Sequence, residues 1–334
     1  MLQAIFGLSG PTLTDDERAL FRAADPAGFI LFARNCADPV QLGALTDALR
    51  EVSGRADVPI LIDQEGGRVT RMKPPHWPDF PAQWRFAELY AKAPISAIEA
   101  ARVNAEAIAV TLVAAGINVD CLPLLDVRQE GAHDVIGDRA LGAEPMQVAA
   151  LGRAVLDGLA AGGCAGIVKH VPGHGRAAAD SHKELPVVTA DAGALAIDIA
   201  PFRALKDAPM AMTAHVLYPA WDANRPASVS PTIIEEVIRG EIGFAGLLMS
   251  DDLAMEALDG SPAERARAVI DAGCDLALHC SGLLAEMEAI AEALGALEGE
   301  GLARLERAMA GTGKASAKTY EDMAAKRDAL LAYA

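Results

Sequence analysis

The stretch from Lys169 to Glu184, KHVPGHGRAAADSHKE, gathers three of the chain's seven histidines. Within it, Asp180-Ser181-His182 sets a carboxylate two residues before an imidazole. The acid can accept one ring N–H, fix the tautomer, and leave the other nitrogen to give or take a proton. That is the makeup of a general acid/base, although a solvated turn draws on the same residue types. Clustered histidines also suggest zinc. His170 and His174 are four apart, but Pro172 and Gly173 exclude the helix that would aim both at one ion, and no Cys pair or H-x-H has ligand spacing. No metal is expected.

Two further clusters carry chemistry. Ser250-Asp251-Asp252-Leu253 ends an apolar run, and a carboxylate partly desolvated by Leu247, Leu248 and Met249 behind it is a candidate nucleophile or base. Neighbouring strand side chains point to opposite sides, so one acid of the pair is expected to face a site and the other to be structural, although a helix N-cap for the following segment would draw on the same residues. Asp63-Gln64-Glu65-Gly66-Gly67-Arg68-Val69-Thr70-Arg71 holds two acids, two glycines and two arginines. It lacks the Gly-Lys-Ser/Thr of a phosphate loop and fits polyols better, because carboxylates accept from hydroxyls and arginines donate to them. Asp63 and Glu65 are also a conceivable acid and base.

Something must hold these clusters together. Eight short apolar runs alternate with segments of helical period, at Gln3–Leu8, Gly28–Phe32, Ile60–Asp63, Ile117–Pro123, Gly166–Val171, Met210–His215, Gly246–Ser250 and Asp275–Cys280. Eight βα units predict a (β/α)8 barrel of the TIM type. An open doubly wound sheet gives the same alternation, but the polar clusters directly follow the strands, where a barrel places its chemistry. Thr14 with Glu17 and Ser261 with Glu264 read as capping boxes, and Asp38-Pro39 and Ser230-Pro231 as helix starts. Leu42, Leu45, Leu49 and Val52 fall on one stripe, as do Ile233, Ile234, Val237 and Ile238. Residues 299–334 are expected to add C-terminal helices outside the barrel, within one domain spanning 1–334.

Composition narrows the partners. With 334 residues, 52% of them hydrophobic and only 4% aromatic, a large aliphatic core is expected. A net charge of −17 disfavours a phosphate backbone or an anionic membrane. The longest apolar stretch, around Ile108 to Ile117, is too short to span a bilayer, and the amino terminus has neither a basic region nor a cleavage motif. Five scattered cysteines suit reduced core thiols. A cytoplasmic monomer acting on a small molecule, without nucleic acid or membrane, is the expectation.

In their order the clusters resemble the bacterial β-N-acetylglucosaminidases (β-hexosaminidases) of glycoside hydrolase family 3. The segments that carry the likeness are GFILFARN from Gly28, LIDQEGGRVTRM from Leu61, IGDRALGAEP from Ile136, the Lys169 stretch, MTAHVLYPAWDANRPASVSP from Met212 and GFAGLLMSDDLAM from Gly243. The resemblance covers nearly the whole chain and implies a catalytic barrel of that family's N-terminal type. It implies Asp251 as nucleophile, His182 as acid/base oriented by Asp180, and Asp63, Arg71, Arg139, Lys169 and His170 as the pocket for N-acetylglucosamine. No cofactor is implied. The family usually reads I-G-E-R where this chain has Ile136-Gly137-Asp138-Arg139 followed by Ala140, which puts the contacts of the neighbours of Arg139 in question. The implied reaction is retaining removal of terminal N-acetylglucosamine from muropeptide fragments in peptidoglycan recycling. A related glycosidase, an N-acetylglucosaminide phosphorylase and an inactive sugar-binding barrel are the alternatives.

Overall fold

The computed structural model describes residues 1–181, 183–314 and 316–333. Among them, each apolar run contributes a strand: β1 (Leu2–Gly7), β2 (Pro26–Leu31), β3 (Ile60–Ile62), β4 (Val119–Asp120), β5 (Ala165–Val171), β6 (Met210–Thr213), β7 (Leu247–Asp252) and β8 (Leu276–His279). Every neighbouring pair is parallel, and β8 returns to β1 through Ala4–Ala277 and Phe6–His279, closing the barrel in sequence order. The fourth strand is shorter than its apolar run. Pro123 has no N–H to offer a ladder, and regular pairing ends before it.

The alternation of a strand divides the core in two. Ile5, Ile30, Leu61, Val119, Ile167, Met210, Met212, Leu247, Met249, Leu276 and Leu278 point inward and form one buried cluster. Their neighbours Phe6, Phe29, Leu31, Ile60, Ile62, Val168 and Leu248 point outward, into a second cluster shared with the helices. Leu305, Ala308 and Met309 of the helix Gly299–Met309 join the inner cluster, so a C-terminal helix closes the barrel interior from below. The helix Tyr320–Leu331 packs instead on the long helix Pro94–Ala114.

The helices start where their side chains provide caps. Thr14 Oγ1 accepts from Glu17 N at 3.1 Å while Glu17 Oε2 accepts from Thr14 N at 2.8 Å, and Ser261 and Glu264 repeat the exchange. Asp38 Oδ1 accepts from Val40 N and Gln41 N, both at 2.9 Å. Ser230 Oγ accepts from Ile233 N, but the segment that follows, Ile233–Glu241, winds as a π-helix and not as the expected α-helix. It buries the same four residues, Ile233, Ile234, Val237 and Ile238. All five cysteines are free thiols. Among the described residues no helix is long and apolar enough to cross a membrane.

Candidate active site

The strands end at one mouth, around a cavity of about 330 Å³. Asp63, Arg71, Arg139, Lys169, His170, Asp180 and Asp251 all line it, although they come from four different strand-end segments, those of β3, β4, β5 and β7. His182 lies outside the described residues; its neighbours Asp180 and Ser181 line the cavity.

The Asp63–Arg71 segment is folded back by a tight turn. Glu65 N donates to Val69 O at 2.9 Å, and Gly66 at the turn has φ +88°, a conformation that favours glycine. A Cβ there would lie 2.3 Å from the carbonyl oxygen of Pro81, so the glycine admits a neighbouring strand of backbone, not a ligand. The turn aims Asp63 and Arg71 at each other at 2.9 Å, with the guanidinium of Arg71 5.1 Å from the ring centroid of Phe32.

Lys169 is the hub of a buried ion cluster. Its Nζ lies 2.9 Å from Asp63 Oδ1 and 2.7 Å from Glu65 Oε1, and Glu65 in turn receives Arg139 in two parallel bonds of 2.8 Å. Burial would drive all these groups toward neutrality. Mutual attraction prevails, holding Asp63 and Glu65 below the usual carboxylate range and Lys169 and Arg139 above their ordinary values. Glu65 is thus an ionised partner of two cations, unlike the proton donor its sequence position also allowed. Beneath them Asp120 is wholly buried, and desolvation pushes its carboxyl well above the usual range.

Local irregularities put adjacent residues on one side. The β5–β6 pairing shifts register between Lys169 and Val171, and both Lys169 and His170 reach the cavity. A second shift, between Met249 and Asp252 on β7, brings both Asp251 and Asp252 to it. The expectation that one acid would turn away is therefore corrected: both line the cavity. Asp252 Oδ1 accepts from the backbone N–H groups of Cys280 and Ala254, both at 3.0 Å. Asp251 is 6% exposed and accepts from Asp252 N at 2.8 Å. Burial favours its protonation, but the fields of His170 and His215 and that N–H outweigh it, keeping Asp251 ionised.

Two participants escaped the sequence reading. Asp126, fully buried just after β4, accepts from His170 Nδ1 at 2.8 Å and from the backbone N–H groups of His170 and His174 at 3.2 and 2.6 Å. It thereby draws the His170 and His174 rings to 5.6 Å without the helix that their spacing lacked. His215 completes the support of β7, with Ser228 Oγ donating to its Nδ1 at 2.6 Å and its Nε2 donating to Asp252 O at 3.0 Å. The available signal for Asp126 was an acid just behind the fourth apolar run, Ile117–Pro123.

This arrangement offers an ionised carboxylate, a histidine-bearing loop and a cation–carboxylate array suited to hydroxyls. The family described as glycosyl hydrolase family 3 N terminal domain matches residues 4–310. A β-hexosaminidase of Bordetella avium is 39% identical over 279 residues, 82% of this chain and 79% of the relative. One from Aromatoleum aromaticum is 40% identical over 281 residues, 82% and 78% of the two chains. NagZ from Neisseria gonorrhoeae, solved in complex with N-trifluoroacetyl-D-glucosamine, superposes with a TM-score of 0.87 at 31% identity, over 99% of this chain and 97% of that one. The motif resemblance is borne out across nearly the whole chain, which belongs to glycosyl hydrolase family 3, among its bacterial β-N-acetylhexosaminidases.

Proposed function

We propose that this β-N-acetylhexosaminidase is a retaining exo-β-N-acetylglucosaminidase. Its substrates are muropeptide fragments, N-acetylglucosamine joined to 1,6-anhydro-N-acetylmuramic acid with or without a peptide, and it acts on them in the cytoplasm as a monomer. The observation that carries the reading is the buried, ionised Asp251 sharing one cavity with the Asp63–Lys169–Arg71 array and with Asp180.

In this mechanism Asp63, Arg71, Arg139, Lys169 and His170 hold the ring of the terminal sugar. A carboxylate oxygen of Asp251 attacks the anomeric carbon as the bond to the leaving oxygen breaks, and His182 gives that oxygen a proton. Asp180 stabilises the imidazolium before the transfer. Neutral His182 then takes a proton from water, whose oxygen displaces Asp251 and frees the sugar. Two inversions restore the β configuration. A histidine suits the acid role because its ordinary pKa, near 6.5, permits transfer in both directions at neutral pH.

The test is product analysis after incubation with the disaccharide fragment. Release of β-N-acetylglucosamine, seen by NMR before mutarotation, is expected. An initial α product, or binding without turnover, overturns the reading.

A further inference from the structure

We infer that Asp126 is a positioning residue with two separable tasks: it fixes the tautomer of His170 on the cavity wall, and it ties down the root of the loop leading to Asp180 and His182. The inference rests on the reading that His170 holds the sugar.

The two oxygens of Asp126 serve different partners. Oδ1 accepts the backbone N–H groups of His170 and His174, the two ends of the Pro172-Gly173 turn from which the loop departs. Oδ2 lies 2.8 Å from His170 Nδ1. A carboxylate only accepts, so Nδ1 must carry a proton, and Nε2 is the nitrogen left for the cavity that His170 lines. Asp126 is an acceptor throughout the working range. Burial opposes its charge, but His170 and the donors around it hold its pKa at about 2. The turn is pinned from a second side by Tyr218, whose hydroxyl donates to Gly173 O at 2.7 Å. The peptide groups at the loop's root are therefore anchored independently of the imidazole.

Asp126→Asn separates the tasks. Its remaining oxygen can still accept both backbone N–H groups, while its NH₂ faces Nδ1 and forces the proton to Nε2. We expect a fold that is retained with a lowered melting temperature, because the stabilising charge is gone, a loss of about ten- to a hundredfold in kcat/KM, as for other outer partners of functional histidines, and loss of the Nδ1 proton in the ring-¹⁵N spectrum of His170. Combined with His170→Gln it should cost little beyond His170→Gln alone. Fully additive losses, or a proton that stays on Nδ1 in Asp126→Asn, overturn the inference. Should the variant not fold, the unaltered enzyme decides it: an unprotonated Nδ1 at neutral pH overturns it and a protonated one supports it. If His170→Gln alone leaves kcat/KM unchanged, the sugar-holding reading of His170 fails instead, whatever the tautomer.

Discussion

Glu65 and Arg139, 74 residues apart, are joined by two parallel bonds of 2.8 Å with the carboxylate 1% exposed. Three residues after Glu65, Arg68 Nε meets Asp138, the neighbour of Arg139, at 2.7 Å in the open. The same two motifs are thus linked twice, once buried and once at the surface, and the shorter Asp138, where the family usually has glutamate, still reaches its arginine.

The two links should differ sharply in worth. Glu65→Gln leaves Arg139 and Lys169 buried with too little counter-charge, and removal of one partner of a buried pair costs about 3–5 kcal/mol. Asp138→Ala removes only the solvated pair, worth at most about 1 kcal/mol, and leaves Arg68 on the carbonyls of Asp134 and Val135. Urea denaturation of both variants checks this, and equal losses would mean that the buried cluster is not held by charge.

The proposed acid role of His182 predicts selective damage. His182→Ala should impair a natural sugar leaving group far more than an activated nitrophenol, by about 10²–10⁴-fold, or about 3–5 kcal/mol. Asp180→Asn should reproduce part of that gap and add little in the double variant. Asp251→Ala should disable both substrates, since neither can form the ester. Steady-state kinetics on the pair is the measurement, and equal losses for His182→Ala on both substrates would move the acid elsewhere.

Stability should fall on acidification in two steps. His174 is buried with no partner for its Nδ1 among the described residues, and burial together with nearby His170 pushes its pKa down to about 4. Above the unfolded value, near 6.5, both states are neutral and nothing changes. As pH falls from there to about 4, the unfolded chain takes a proton that the fold refuses, and on the order of 3 kcal/mol is lost. Below about 4 the depressed carboxyls, Asp126 among them, begin to lose the stability that they contribute when ionised. His174→Gln should flatten the first limb of a pH series of urea midpoints and spare the second; an unaltered first limb would assign it to another group.

Much of this was legible in the order of residues because the signals were local. A capping box needs only Thr14 and Glu17, and a barrel strand needs only a short aliphatic run with polar residues after it. Asp251, Asp63 and Lys169 stood at such strand ends. What escaped depended on contacts distant in sequence or on backbone detail. Asp126 acquires its role only when β4 lies beside β5, 44 residues away at His170. The facing of Asp252 turns on a register shift against β8, which no spacing announces. Glu65 looked free to donate a proton until Arg139 and Lys169 arrived around it.

Closure of the barrel also orders events in time. β1 finds one partner in β2 early, but its other edge waits for β8, which follows all the other strands, and Met1 O and Gly295 O are bonded across the same seam to Leu297 N and Gln3 N. At ~5–20 residues per second a ribosome needs tens of seconds between those strands. For that interval the nascent chain carries an open strand edge beside an unsealed aliphatic interior, the kind of surface that chaperones shield. Only when the helix Gly299–Met309 has emerged can the interior be stoppered, so a segment made after all eight strands decides whether β1 is ever safely enclosed.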